Sequence, residues 1–261
     1  MECKNCTLPL RTDYTYCSNC GAKIIRNRLT LKNLWYDVTE RYFNLDNTFL
    51  KTFWHLIVKP EVVIGGYVDG IRRKYLNPVS YLAVALTLSG ITMFIMRKIF
   101  KDGIDLSQIA GGENLNNEVG QKIMSLSFDY SSFLFLLYIP VFAFAGWVAF
   151  NKREYNLSEQ FVTAMYSLAQ FSIVSFPISM LLLLTNPDQY FSLSWLMIVI
   201  MLLYGIYVVN RMHRYKFANR IPRSILYIML WGVGYIGVII FFYVILFATG
   251  EISLQDFAPK K

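Results

Sequence analysis

Five stretches of this chain, 78–96, 131–150, 162–185, 192–209 and 224–248, contain no Asp, Glu, Lys, Arg or His. As helices at 1.5 Å per residue they would be about 27–37 Å long, enough to cross a hydrocarbon layer of about 30 Å. Lipid offers no partners to backbone N–H and C=O groups, so apolar runs of this length read as helices that bond internally. The fold class expected is an all-α integral membrane protein with five transmembrane helices. Composition agrees: charged residues are 16% of the chain, against about 25% in soluble domains.

The chain before the first run divides in two. Residues 1–25 hold all four cysteines, as Cys3-x2-Cys6 and, ten residues on, Cys17-x2-Cys20-Gly21. Two CxxC pairs supply four thiolates, a donor set suited to a tetrahedral, closed zinc site. The metal-ligand set read here is therefore Cys3, Cys6, Cys17 and Cys20, with zinc as structural cofactor. Iron in a rubredoxin-like site and a redox pair are the other readings, the latter lacking a βαβ context. So short a head cannot bury a core, and metal must supply its folding energy. Gly21 is placed where the knuckle needs a positive φ.

Residues 26–77 form a coupling region. Leu31, Leu34, Trp35, Val38 and Tyr42 recur at helical spacing with Thr30 as cap. A second run puts Phe49, Leu50, Phe53, Trp54 and Ile57 on one side with Asp46 as cap. These helices either lie in the membrane interface or pack on the spans. Pro60 starts another short helix with Glu61 in its first turn. Gly65, Gly66 and Gly70 allow close approach or bending. The five-span domain is 78–248, and 249–261 is a tail.

Lysine and arginine set the expected orientation. Twelve precede the first span and five lie between the fourth and fifth, whereas the turn between the third and fourth has none. This places the N-terminus in the cytoplasm and the C-terminus outside, with no signal peptide ahead of the first span. Arg97, Lys98 and Lys101 conflict with that rule, partly offset by Asp102 and Asp105. The outer connection 97–130 is expected to contain a short helix at Val119–Leu126.

Few residues point to chemistry. Arg72, Arg73, Lys74, Arg211, Arg214, Lys216, Arg220 and Arg223 would form a cationic collar on the cytoplasmic side. The fourth span is expected to run on through Arg211–Lys216, and Ile221-Pro222 to open the fifth. The collar reflects the positive-inside rule alone or contacts anionic lipid headgroups. Its aromatics are not interleaved as a nucleic-acid platform requires, so no nucleic-acid partner is expected. Ser167, Gln170, Ser172, Ser175, Pro177 and Ser179 make the third span polar, either for helix packing or as a substrate path. Gly232, Gly234 and Gly237 indicate a close contact of the fifth span. His55 and His213 read as interfacial side chains. No catalytic constellation is found, and the chain is expected not to be an enzyme.

Cys17-Ser18-Asn19-Cys20-Gly21, Thr52-Phe53…Lys59-Pro60, Gly70-Ile71-Arg72-Arg73-Lys74-Tyr75 and Asn77-Pro78 resemble a family of bacterial membrane proteins described only as a domain of unknown function. The resemblance covers about the first 80 residues. It implies an N-terminal zinc ribbon and a bacterial cytoplasmic membrane location, and implies no activity. The five-span layout is also similar in topology alone to the Yip-type membrane trafficking proteins. The function expected is a non-enzymatic membrane adaptor whose head binds an unidentified cytosolic or membrane protein. The alternative is a transporter or lipid-handling protein using the third span and the basic collar.

Overall fold

The computed structural model describes residues 2–22, 24, 45–99, 117–150, 155–186, 189–213 and 217–252. The expected helix around Leu31–Tyr42 lies outside these residues, as do Lys101, Asp102, Asp105, Arg214 and Lys216. The chain divides into two compact units, Met1–Asp46 and Asn47–Lys261. The coupling region from Asn47 onward therefore belongs with the spans and not with the head.

Eight helices are described: α1 (Leu45–Val58), α2 (Pro60–Val68), α3 (Pro78–Ile99), α4 (Asn117–Asp129), α5 (Ser131–Phe150), α6 (Leu157–Thr185), α7 (Tyr190–Met212) and α8 (Phe217–Ala248). The described residues contain no strand, only an isolated bridge between Glu2 and Pro9. Five helices, α3 and α5–α8, are long and apolar enough to cross a membrane, as expected from their charge-free centres.

Their ends differ from expectation. α6 starts at Leu157, five residues early, because Asn156 and Glu159 form a capping box in which each side chain accepts from the other's backbone N–H. α7 stops at Met212 with His213 at its C-cap; the rest of the expected basic extension, 214–216, lies outside the described residues. α8 starts at Phe217, and Pro222 lies in its second turn instead of opening it. So near a helix start, proline forfeits only the bond to the carbonyl of Ala218. α1 begins at Leu45, which puts Asp46 inside the first turn and not ahead of it. The short helix expected at Val119–Leu126 is found, at Asn117–Asp129.

α6 is the axle of the bundle, packing against α3, α5, α7 and α2. Lipid provides no hydrophobic drive for helices to associate, so close approach and internal polar contacts do the work. Ala85, Ala143, Ala149, Ala164 and Ala169 are buried at the seams. Of the three glycines expected to mark a contact of α8, one does. A methyl group on Gly234 would collide with Val141 of α5, whereas Gly232 and Gly237 face open space. Gly234→Ala should therefore destabilise the bundle by roughly 1–3 kcal/mol through overpacking. Gly232→Ala and Gly237→Ala should be neutral or stabilising by up to about 1 kcal/mol. Melting temperatures of the three variants in one detergent would check this.

One of the three charges that conflict with the orientation rule has a partner among the described residues. Arg97 at the end of α3 is ion-paired with Asp129 at the end of α4. Ile123 and Leu126 of α4 pack on Phe242 and Leu246 near the end of α8 and on Ile252 beyond it.

Candidate metal centre and the clamp on the coupling segment

The head is built from two copies of one knuckle. In the first, Cys3 N–H donates to Leu8 C=O at 2.9 Å and Thr7 N–H to Cys3 C=O at 2.8 Å. In the second, Cys17 N–H donates to Ala22 C=O and Gly21 N–H to Cys17 C=O, both at 2.9 Å. The residues correspond at a constant offset, Cys3-x-Asn5-Cys6 onto Cys17-x-Asn19-Cys20. Gly21 has φ +69°, as the spacing predicts; its counterpart Thr7 is held in the same region, at φ +59°. Sequence reasoning missed this duplication, although the repeated C-x-N-C is visible.

The knuckles face each other. All four Sγ atoms lie within 4.8 Å of one another, and Cys3–Cys20 and Cys6–Cys17 are each 3.6 Å apart. Tetrahedral ligation at about 2.3 Å separates sulfurs by about 3.8 Å. Four thiol donors at that spacing fit a metal ion and leave no position open. Cys3 and Cys17 are buried; Cys20 is exposed.

The sulfurs are not equivalent as acids. The Asn5 side chain, the backbone N–H of Ala22 and the Cys6 thiol hold Cys20 down to about 6. Backbone N–H groups of Cys20 and Asn19 lower Cys17. Cys6 is pushed up to about 11: the backbone N–H of Leu8 pulls it down, but the Cys20 thiol, burial, and the Cys17 and Cys3 thiols together outweigh that. Since the thiolate is the ligand form, metal capture by the metal-free chain should set in with the deprotonation of Cys20 and Cys17 as pH rises. Asn5→Ala should move that onset upward, read from thiolate absorbance and metal uptake against pH.

The second constellation is in the membrane unit. α1 turns its Phe49, Thr52, Phe53 and Leu56 side inward, and Leu50, Trp54 and Ile57 are exposed. The expected single apolar stripe is thus split between a packed and an open side. Hydroxyls from distant helices then tie the segment down. Thr52, fully buried, accepts from Leu76 N–H at 2.9 Å and donates to Thr48 C=O at 2.6 Å. Tyr166 of α6 donates to Leu76 C=O at 2.6 Å, and Tyr204 of α7 to Leu56 C=O at 3.0 Å. Tyr207 donates to Ile57 and Val58 C=O, both at 3.1 Å. Arg211 pairs with Glu61 at 2.9 Å and also donates to Val58 C=O. The donors to Leu56, Ile57 and Val58 saturate carbonyls left open at the end of α1. Gly65 and Gly66 sit within α2 with room for a methyl group, and Gly70 leaves it at φ +93°.

Both histidines have protein neighbours. Nδ1 of His55, half-buried, is 2.8 Å from the Tyr75 hydroxyl. His213 is buried between the rings of Phe150 and Tyr155, centroids 5.7 and 5.1 Å away.

The polar residues of the third span lie on a helix seam. Gln170, 1% exposed, accepts from the Tyr81 hydroxyl of α3. Ser172 and Ser89 are 2.9 Å apart. Ser167 and Ser175 bond to carbonyls of their own helix. Of the basic collar, Arg72, Arg73 and Lys74 are exposed, whereas Arg211 holds Glu61 and Arg223 donates to Ala149 C=O at 2.9 Å. Arg220 is exposed on α8.

A family described as a protein of unknown function (DUF3667) matches residues 46–90. The match takes in α1, α2, the connection to α3 and the first half of α3, and begins after the cysteines. It coincides with the clamped segment. No curated protein and no solved structure matches the chain.

Proposed function

We propose that this chain is a non-enzymatic adaptor of the bacterial cytoplasmic membrane, with its N-terminus in the cytoplasm and its C-terminus outside. Its four-cysteine head holds structural zinc and presents a folded surface to a protein partner; the five-span unit supplies a fixed base. The observation that carries this reading is the clamp. Leu56, Ile57, Val58, Glu61 and Leu76 are each bonded to a side chain of α6 or α7, which makes the segment after the head a platform. The third span favours an adaptor over a transporter for a related reason: Gln170 and Ser172 bond across to α3, as packing residues do. With all four thiols committed to one ion, no open coordination position remains for catalysis.

The test is crosslinking in cells from a photoreactive residue at Tyr16, exposed on the head, followed by purification. A discrete partner adduct that disappears in Cys17→Ser/Cys20→Ser, with membrane insertion unchanged, supports the adaptor. A solute flux in liposomes that survives removal of residues 1–46 would replace it with the transport reading.

A further inference from the structure

One side of α1 is apolar and exposed. Leu50 and Trp54 are each 61% exposed, and Ile57, Val58 and Val62 continue the patch through α2. The stripe lies beside the packed side of α1, with Lys51 on its polar flank. A helix with this arrangement of bulky apolar residues and a flanking cation suits the boundary between headgroups and acyl chains.

The cations around the patch are held in position. Lys51 and Lys74 lie over the Tyr75 ring, 5.9 and 5.6 Å from its centroid, and Arg72 lies 5.7 Å from that of Tyr67. Tyr75 is buried and bonded to His55, so the ring that carries two ammonium groups is fixed. Gly70, Ile71, Arg72, Arg73 and Lys74 line a shallow open depression beside them. Residues 47–77 contain five Lys or Arg and two carboxylates. Glu61 pairs with Arg211, whereas Asp69 caps α2 through its backbone N–H and is exposed, so the cations outnumber the exposed carboxylate. α3, the first spanning helix, starts three residues after Tyr75, so the depression opens where a bilayer surface would lie.

We propose that α1, α2 and the turn 70–74 form a foot that binds the phosphate headgroups of anionic lipids through Lys51, Arg72 and Lys74. Trp54 and Leu50 enter the same leaflet. The charge complementarity commits the surface to lipid, and Arg211 and Arg223 are no part of it. This surface is independent of whatever the head binds.

The test uses the full chain in nanodiscs of phosphatidylcholine alone or mixed with phosphatidylglycerol. Lipid retained on native mass spectrometry and hydrogen exchange at 50–58 and 70–76 are followed. Phosphatidylglycerol should be retained preferentially and should slow exchange of 70–76 several-fold. Lys51→Gln/Arg72→Gln/Lys74→Gln should lose about tenfold or more of that preference. The charge-matched Arg11→Gln/Lys98→Gln/Lys122→Gln should keep it. Equal retention of both lipids by the unmodified chain overturns the proposal without recourse to any variant. So does an equal loss in the charge-matched control. Slowed exchange from inorganic phosphate in neutral discs, matching that from phosphatidylglycerol, would make this a free-anion site and also overturns it.

Discussion

Cys17→Ser/Cys20→Ser is expected to abolish metal binding and unfold residues 2–22 while the five-span unit keeps its melting temperature. Structural zinc contributes roughly 10–16 kcal/mol to small metal-folded peptides, far more than any other single interaction here. The head has little else: Cys3, Leu10 and Cys17 are its buried apolar residues, with a handful of partly buried neighbours. Two of those three are the ligands themselves. Metal analysis of the purified chain should give one zinc per wild-type molecule and none in the variant. Limited proteolysis should remove the variant head first. Full metal retention in the variant would sink the four-thiolate centre. An unchanged bundle is expected because the chain divides after Asp46.

The second large effect is expected at Thr52. Thr52→Val keeps the shape and removes an acceptor, leaving the Leu76 N–H without its 2.9 Å partner. An orphaned donor in such a setting costs about 1–3 kcal/mol. Thr52→Ser should restore most of it, since the hydroxyl is retained. Thermal unfolding in a fixed detergent measures the loss, and faster cleavage within Gly70–Lys74 would locate it. A valine variant as stable as wild type would mean that the clamp is held by the tyrosines alone. The same logic separates Thr52 from Gly65 and Gly66, whose added methyl groups meet nothing or only Ile71 at 3.9 Å.

The spans were legible because lipid imposes one rule on the whole of each: no ionisable group near the centre. Their ends were not, because the first turns of α6 and α8 are polar and helical at once. Asn156-Leu-Ser-Glu159 is a capping box in plain sight, but a hydropathy reading starts only where charge stops. The stripe on α1 illustrates a different limit. Phe49 and Phe53 pack inward while Leu50 and Trp54 do not, and hydrophobicity alone does not distinguish protein from lipid as the solvent of a side chain. The clamp was illegible for a third reason. Tyr204 and Tyr207 reach carbonyls about 150 positions away, and backbone acceptors carry no residue identity to read. The cysteine centre was the most legible part, since its spacing is its geometry. Within it, Asn5 and Thr7 went unread because neither ligates.

Thr7 carries a further consequence. The two knuckles are equal in hydrogen bonding and unequal in backbone ease: glycine occupies the left-handed position in one, and a β-branched residue in the other. β-Branched residues resist that conformation, and the bond from the Thr7 hydroxyl to Cys6 C=O at 2.7 Å offsets only part of the strain. The threonine knuckle is therefore the more strained of the two, and Thr7→Gly is expected to ease its closure while the same change leaves the Cys17–Cys20 knuckle as it is.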